Sequence, residues 1–158
     1  MPDGTINTGI GASVKRVEDQ RFLTGKGNYT DDINRPDQTY AYMLRSPHAH
    51  AKITSIDSSN AQSSDGVVAI FTGEDMQVGG LPCGWQIHSE DGSPMHEPSH
   101  PALAQGKVRH VGDQVAVVIA DTLANAKSAA AKIKVEYEAL APVMDMKVAE
   151  AGAPFVHE

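Results

Sequence analysis

The sequence predicts an α/β protein with a mixed β-sheet, a β-α-β unit and helices packed on that sheet. Segment 115–119 is apolar at every position and rich in β-branched residues, which is typical of a strand buried on both faces. Apolar residues then recur at helical spacing in 121–132, and from Ile133 apolar and charged residues alternate as in a strand with one wet face. About a dozen residues can connect parallel strands, so these elements predict a right-handed β-α-β unit.

The preceding segment predicts three further strands. Alternating apolar residues indicate a strand at 40–45, and a second short strand follows at 52–57. Several capping side chains then predict a short helix through Ser63. The run 67–72 is apolar and predicts another buried strand, after which Thr72 is expected to cap a short helix.

Glycines and aromatic residues predict a tight turn near the beginning of the chain. Gly25 and Gly27 suit the turn, and Phe22, Leu23 and Tyr29 are expected to anchor it to the body of the protein. The acidic pair that follows the turn is expected to be solvated or to cap a helix.

The segment 77–107 predicts a long, irregular loop. It contains four of the nine prolines, five glycines and the single tryptophan, with little periodicity. Loops of this length in compact domains are usually functional or shaped by a partner. We expect a flexible tail at 1–8, one domain over 9–145 that includes this loop, and the start of a linker at 146–158.

Composition excludes several classes of function. A chain of 158 residues fits one domain, and its formal net charge of −7 disfavours nucleic acid and acidic membrane surfaces. The single cysteine, Cys83, can form no internal disulfide and cannot supply the thiolates of an iron–sulfur cluster. No signal segment or transmembrane run is visible, so we expect a cytoplasmic protein.

Two histidines at i, i+2 leave two interpretations open. In extended chain His48 and His50 share a face, an arrangement that can bind zinc. A zinc site requires at least a third ligand, and the long loop offers His88, His96, His100, Glu90 and Glu97. Alternatively, both imidazoles form hydrogen bonds with the backbone at the end of a strand.

The long loop and its flank carry two further kinds of candidate. His88, His96, His100 and His110 are spaced irregularly, which is typical of surface residues and also compatible with a substrate passage or an interface. Trp85 suits the centre of a protein contact, although it could equally cover the core. No motif of a nucleophilic hydrolase is present.

Five ordered motifs give the chain a specific resemblance. They are RVEDQRFLTGKGNYTDDI at 16–33, RSPHAHA with following isoleucines at 45–57, GV and TGED within 66–75, VRHVGDQVA at 108–116, and VEYEAL at 135–140. Together they resemble the large subunits of molybdenum hydroxylases, the family of xanthine dehydrogenase, aldehyde oxidase and aerobic carbon monoxide dehydrogenase. The matching part of that family is the N-terminal α/β hammerhead domain, so the resemblance implies a hammerhead-like fold over 9–145.

The resemblance implies a structural domain of an oxidoreductase, most similar to the carbon monoxide dehydrogenase or aldehyde oxidase type. The full-length subunit is expected to bind molybdenum with molybdopterin cytosine dinucleotide and to pass electrons through iron–sulfur and flavin subunits. Cofactor-binding loops and the catalytic glutamate of the family lie downstream of this domain, so 146–158 is expected to lead to molybdenum-binding domains. The motifs begin close to Met1, which resembles the bacterial three-subunit branch.

For the chain itself the resemblance implies no catalytic, cofactor-binding or metal-binding residue. We expect the isolated domain to be inactive, and we select candidates for an interface or for the wall of a substrate passage. These candidates are Arg45, His48, His50, Trp85 and His110. Two alternatives remain: a free-standing binding or scaffold module with the same fold, and a small metal-dependent enzyme using the paired histidines.

Three residues depart from the family pattern. Asp37 follows a proline where glycine is expected, and Asp65 and Gln114 occupy positions where proline is usual. All three are expected to be turn positions, so they affect local turn types and leave the resemblance to the family intact.

Overall fold

A computed structural model describes residues 9, 12, 15–76, 79–152 and 154–157. The predicted tail at 1–8 lies outside the described residues. The chain divides into two units, Met1–Pro36 and Asp37–Glu158.

The first unit contains helix α1, Asp19–Leu23, and a short 3₁₀ helix at Thr30–Asp32. The Asp32 carboxylate accepts a hydrogen bond of 2.9 Å from the Tyr29 amide, which confirms the capping interpretation for the second residue of the acidic pair. The rings of Phe22 and Tyr29 stack on each other with centroids 5.4 Å apart. Leu23 does not act as the predicted anchor, because its side chain is almost fully exposed.

The second unit contains the remaining helices and strands. In chain order they are β1 Tyr40–Arg45, β2 Ala51–Asp57, α2 Ser59–Gln62, β3 Val67–Thr72, β4 Lys107–Val108, β5 Gln114–Ala120, α3 Leu123–Ala130, β6 Lys134–Ala139 and α4 Met146–Glu150. These bounds confirm the predicted strands and the predicted helices before β3 and after β5. Helix α4 lies within the segment predicted to be a linker. No helix of the described residues is long and apolar enough to cross a lipid bilayer.

The strands form two antiparallel sheets, and this corrects the predicted mixed sheet with a parallel β-α-β unit. One sheet has the order β1-β5-β3 and the other the order β4-β2-β6. Every strand pairing in the described residues is antiparallel. Strand β5 therefore belongs to one sheet and β6 to the other. A strand–helix–strand pattern fixes the order of the elements, but it does not determine which sheet the second strand joins.

Strand β5 lies between two hydrophobic clusters, which explains its continuous apolar sequence. Alternate residues Ala116, Val118 and Ala120 pack with α3 and α2 in the first cluster. Val115 points the other way and packs with Val108 in the second cluster, against β2 and β6. Successive side chains of a strand point to opposite faces, so a strand with two buried faces must be apolar at every position.

Helix α3 covers the first sheet with small residues. Its buried positions are Ala126, Ala129 and Ala130, whereas Leu123 at its start, which has the same helical spacing, is 43% exposed. The hydroxyl of Thr122 accepts a hydrogen bond of 3.1 Å from the amide of Asn125 and so caps the helix.

Strand β6 has the predicted wet face. Val135 and Tyr137 pack against the second cluster, while Glu138 points outward and forms an ion pair of 3.1 Å with Lys52 on β2.

Strand β3 differs from the prediction in two respects. It is an edge strand of its sheet, and Val68 is 64% exposed, so it is not buried on both faces. Residues 73–75 form a turn and no helix begins there. The Asp75 carboxylate accepts hydrogen bonds from the amide and the hydroxyl of Thr72, at 2.7 and 2.9 Å, which closes the chain into that turn.

Candidate functional site

Two of the sequence motifs meet at the end of β1. The amide of Ser46 donates to the carbonyl oxygen of Asp113 at 2.8 Å, and the carbonyl of Ser46 accepts from the amide of Gly112 at 2.8 Å. The guanidinium of Arg45 donates to the carbonyl oxygen of Gly112 at 2.9 Å. These bonds connect the RSPHAHA segment to the loop before β5. We call this group the motif junction: Arg45, Ser46, Gly112 and Asp113.

The side chain of Ser46 closes a turn within the same motif. Ser46 is buried, and its hydroxyl accepts a hydrogen bond of 3.0 Å from the amide of His48. The hydroxyl in turn donates to the carbonyl oxygen of His48 at 3.2 Å. The buried hydroxyl thus satisfies both backbone polar groups of His48. These two bonds fix the direction of the chain where it continues from β1 toward the histidines.

The two histidines have separate surroundings. The ring of His48 packs on Tyr137, with centroids 4.7 Å apart. His50 is only 7% exposed, and its Nδ1 lies 2.9 Å from the carbonyl oxygen of Ala141. A carbonyl oxygen only accepts, so Nδ1 carries the proton in this bond. For His50 this confirms a bond to the backbone, and for His48 it shows packing on an aromatic ring.

The predicted zinc alternative lacks the ligands that it requires. Within the described ranges, no group of three His, Cys, Asp or Glu side chains is arranged to hold a metal ion. His88 and His96 of the long loop do not join His48 and His50 in such a group. The Nε2 atom of His50 is buried and has no hydrogen-bond partner among the described atoms.

A cleft of about 330 Å³ lies beside the motif junction. Its titratable lining residues are His100, Lys107, Arg109, His110, Asp113 and His157, which we call the cationic cleft. Arg45 and His110 also line a smaller adjoining pocket. Five nitrogen-bearing side chains that carry or can accept a positive charge therefore accompany one lining carboxylate, so the described lining of the cleft is mainly basic although the protein is acidic.

Asp113 organises the wall of the cationic cleft. Its carboxylate accepts a hydrogen bond of 2.9 Å from the backbone amide of Arg109 and lies 3.8 Å from Nδ1 of His110. The rings of His110 and His100 stack with centroids 6.3 Å apart. The pKa of His157 is lowered by burial and then by the positive charges of Arg109 and His100.

Four residues of this cleft were not among the candidates chosen from the sequence: Lys107, Arg109, Asp113 and His157. Arg109 stands beside the candidate His110 within a recognised motif, so the motif itself could have indicated it. His157 lies in the segment predicted to be a linker, where no periodic pattern or motif points to it. Of the predicted candidates, the structure brings Arg45 and His110 together and places Trp85 elsewhere, on the long loop.

The long loop folds back on itself as an irregular hairpin. The amide of Leu81 donates to the carbonyl of His100 at 2.7 Å, and the amide of Met95 donates to the carbonyl of Ile87 at 3.0 Å. Near the middle, the Glu97 carboxylate accepts from the amide of Cys83 at 2.5 Å and from the side chain of Gln86 at 2.6 Å. These donors lower the pKa of Glu97. The segment 81–100 thus has a specific hydrogen-bonded shape without a regular sheet.

The hairpin exposes large apolar side chains. Trp85 is 81% exposed and Ile87 is 64% exposed, and Leu81 is also exposed. We call Leu81, Trp85 and Ile87 the apolar hairpin surface. Trp85 therefore does not cover the core of the described domain. Exposed apolar groups of this size on one element indicate a contact with another protein surface.

The described residues do not form a cradle for a pterin dinucleotide. Other atoms approach the glycines closely at Gly27, Gly66, Gly73 and Gly80, and at each position these atoms belong to neighbouring residues of this chain. These glycines serve internal packing. Among the described residues, none of these four glycines thus lines an open cradle for the cofactor that the resemblance implies for the full-length subunit.

Comparison with known proteins places these features in context. Residues 24–141 match the sequence-family model described as "Aldehyde oxidase and xanthine dehydrogenase, a/b hammerhead domain". The nicotine 6-hydroxylase large subunit of Paenarthrobacter nicotinovorans is 37% identical over 147 residues, which cover 92% of this chain and 17% of the relative. The carbon monoxide dehydrogenase large chain of Afipia carboxidovorans is 36% identical over 151 residues, covering 95% of this chain and 18% of the relative.

Solved structures show the same fold. The crystal structure of quinoline 2-oxidoreductase from Pseudomonas putida 86 superposes with a TM-score of 0.77 and 38% sequence identity. That superposition covers 91% of this chain and 18% of the matching chain. The chain therefore spans less than a fifth of the length of the relatives that it matches.

Proposed function

Because the chain belongs to the aldehyde oxidase and xanthine dehydrogenase family through its α/β hammerhead domain, we propose that it is a structural domain of a molybdenum hydroxylase large subunit. The subunit is proposed to be of the carbon monoxide dehydrogenase or aldehyde oxidase type, with this domain at its N-terminal end. Its matched relatives are large subunits, and the chain corresponds to under a fifth of each. We propose that the domain by itself is inactive.

The observation that carries this proposal is the apolar hairpin surface. Trp85 and Ile87 are mostly exposed although the hairpin that presents them is held by specific hydrogen bonds. Exposing such side chains to water is unfavourable, and covering them contributes roughly 25 cal/mol per Å² of apolar surface. We propose that the molybdenum-binding domains of the same subunit cover this surface.

The cofactor and the electron-transfer partners belong to the same proposal. Molybdenum with molybdopterin cytosine dinucleotide is proposed to be held by the rest of the subunit, where it would oxidise carbon monoxide or hydroxylate an aldehyde or an N-heterocycle. Iron–sulfur and flavin subunits are proposed to accept the electrons. A cytoplasmic location stays a prediction from the sequence.

The predicted site residues are proposed to act through structure. Arg45 holds the loop before β5, and His48 and His50 fix the chain between β1 and β2. Exposed His110 and Trp85 remain our candidates for the wall of a passage and for a contact between domains. None of these assignments requires a chemical step within this chain.

Association between the chain and the proposed molybdenum-binding domains tests the function. The chain would be co-expressed with the rest of a large subunit from its source locus, and binding would be measured by co-purification and by molybdenum content. We expect a stable complex that contains molybdenum and reduces a dye with one of the three substrate classes. The purified chain is expected to show neither property.

A matched pair of substitutions tests the role of the hairpin. Ile87→Ser is expected to weaken the complex, whereas Val68→Ser is expected to leave it intact, because Val68 on β3 is equally exposed at 64% but lies outside the hairpin. Equal effects of both substitutions would remove the hairpin from the proposed interface. Failure of the wild-type chain to associate would favour a free-standing binding or scaffold module.

A further inference from the structure

We propose that the cationic cleft is a binding site for an oxyanion, a carboxylate or phosphate group, held chiefly by Arg109. The cleft is a recess of about 330 Å³, and the proposed function gives a role to only one of its titratable lining residues, His110. This inference depends on the side chains of the cleft and on no property of the proposed large subunit.

Two cationic residues on either side of Val108 lie on the same side of the chain. Val108 is fully buried in the second hydrophobic cluster. Neighbouring residues of an extended chain point to opposite faces, so Lys107 and Arg109 point away from that cluster. Both side chains line the cationic cleft. The burial of Val108 therefore fixes the position of a pair of positive charges at the cleft wall.

Arg109 has an unmet requirement for a partner. The side chain of Arg109 is half-buried, and its buried Nε atom has no hydrogen-bond partner among the described residues. None of the described carboxylates forms an ion pair with the Arg109 guanidinium. Charged groups that lose water are normally paired, and guanidinium groups bind planar carboxylates and phosphates through two parallel hydrogen bonds.

Asp113 does not supply the missing anion. Its carboxylate binds the backbone amide of Arg109 and lies beside the imidazole of His110. This arrangement orients His110 in the wall and leaves the guanidinium of Arg109 available for a ligand. Among the described residues, Asp113 therefore forms no ion pair with the guanidinium of Arg109.

The ligand is an anion and not a metal cation. The imidazoles of His100, His110 and His157 line the cleft, but the described His, Cys, Asp and Glu side chains form no group of three that could hold a metal ion. Arg109 and Lys107 would also repel a cation at this position.

Titration with two simple oxyanions tests this inference. Inorganic phosphate and acetate would be added separately to the isotopically labelled chain at constant ionic strength, with sodium chloride as the reference salt. The signals to follow are the side-chain N–H of Arg109 and the ring protons of His100 and His110. We expect saturable shifts with at least one oxyanion. Tighter binding of phosphate assigns the site to a phosphate-bearing ligand, and tighter binding of acetate assigns it to a carboxylate.

Substitutions separate specific binding from charge screening. Arg109→Gln is expected to weaken binding roughly tenfold or more, as for the loss of charge-assisted hydrogen bonds. Lys134→Gln removes one positive charge from β6, which does not line the cleft, and should leave binding unchanged. Arg109→Lys retains the positive charge but lacks the planar guanidinium, so it should bind with intermediate affinity. This variant still tests the site if Arg109→Gln does not fold. Shifts that match those of chloride, or equal binding by wild type and both Arg109 variants, would overturn the inference.

Discussion

The amide of Gly112 donates a hydrogen bond of 2.8 Å to the carbonyl oxygen of Ser46. Gly112 has a positive φ of 90°, a conformation that directs its amide back toward the end of β1. The bond joins two motifs that are distant in sequence, and Arg45 reinforces it through the carbonyl of Gly112. A left-handed backbone at one residue thus holds the start of β5 against the end of β1.

Gly112→Val is expected to lower the free energy of unfolding by about 1–2 kcal/mol, because a β-branched residue is strained at positive φ. A Cβ atom at this position would meet nothing within 4 Å, so the cost comes from the backbone and not from crowding. Denaturation in urea measures the effect. Gly84→Val is the control, since a Cβ is also uncrowded there and the φ angle of Gly84 is not left-handed. Equal stabilities of the two variants would contradict this explanation.

Asp37→Gly is expected to leave stability unchanged or to raise it by up to about 1 kcal/mol, because glycine adopts positive φ without strain. Asp37 has a φ of 58°, which explains why the family pattern predicts glycine there. Asp37→Val should destabilise the chain by about 1–2 kcal/mol for the opposite reason. Asp65→Gly, at an exposed position without positive φ, is expected to be slightly destabilising. Thermal denaturation of the three variants provides the comparison, and a gain in stability for Asp65→Gly alone would refute the prediction.

His50→Ala and His48→Ala should differ in stability although the two residues are close in sequence. His50 is buried and bonded to the carbonyl of Ala141, so its removal leaves a cavity and an unpaired carbonyl and is expected to cost about 2 kcal/mol or more. His48 is half-buried on Tyr137, and its removal is expected to cost less than about 1 kcal/mol. Urea denaturation of both variants measures the two losses of stability. A larger loss of stability in His48→Ala than in His50→Ala would contradict the prediction.

The pKa of His157 is expected to lie below its ordinary value of 6.5, because burial and the charges of Arg109 and His100 disfavour its protonated form. Asp113 acts in the opposite direction and His50 in the same direction as Arg109. NMR titration of the ring protons measures this pKa. Arg109→Gln should raise it toward the ordinary value, and an unchanged pKa in that variant would exclude Arg109 as a cause.

The same shift predicts the sign of a pH effect on stability. Between the folded-state pKa and 6.5 the unfolded chain binds more protons at His157 than the folded chain does. The contribution of His157 to stability is therefore complete above pH 6.5 and decreases as the pH falls through the folded-state pKa. In His157→Gln this part of the pH dependence should disappear, which denaturation at a series of pH values can measure.

The sequence predicts the elements of this fold better than their arrangement. The apolar run of β5, the alternation of β1 and the capping residue of α3 are local signals, and each confirmed element follows from one of them. The pairing of strands depends on contacts between distant segments. For this reason the predicted parallel β-α-β unit was wrong although its strands and its helix were correct.

The candidate site likewise combines residues that local motifs indicate with residues that only the folded chain brings together. His110 and Arg45 stand in recognisable motifs, and the structure brings them to one pocket. The cationic cleft also requires His157, whose position depends on how the last residues fold back. Neither charge nor spacing in the sequence predicts that return, and only the packed domain brings its side chain near Arg109.

Strand β5 contributes side chains to both hydrophobic clusters, which has a consequence for the dynamics of the domain. Displacing this strand would expose both clusters at once, so neither sheet can open separately at β5. Amide protons of β5 should therefore exchange with solvent only through global unfolding, whereas those of the 81–100 hairpin can exchange through local fluctuations. The contact surface of the hairpin could then adjust locally to a neighbouring domain while the strands that support it stay folded.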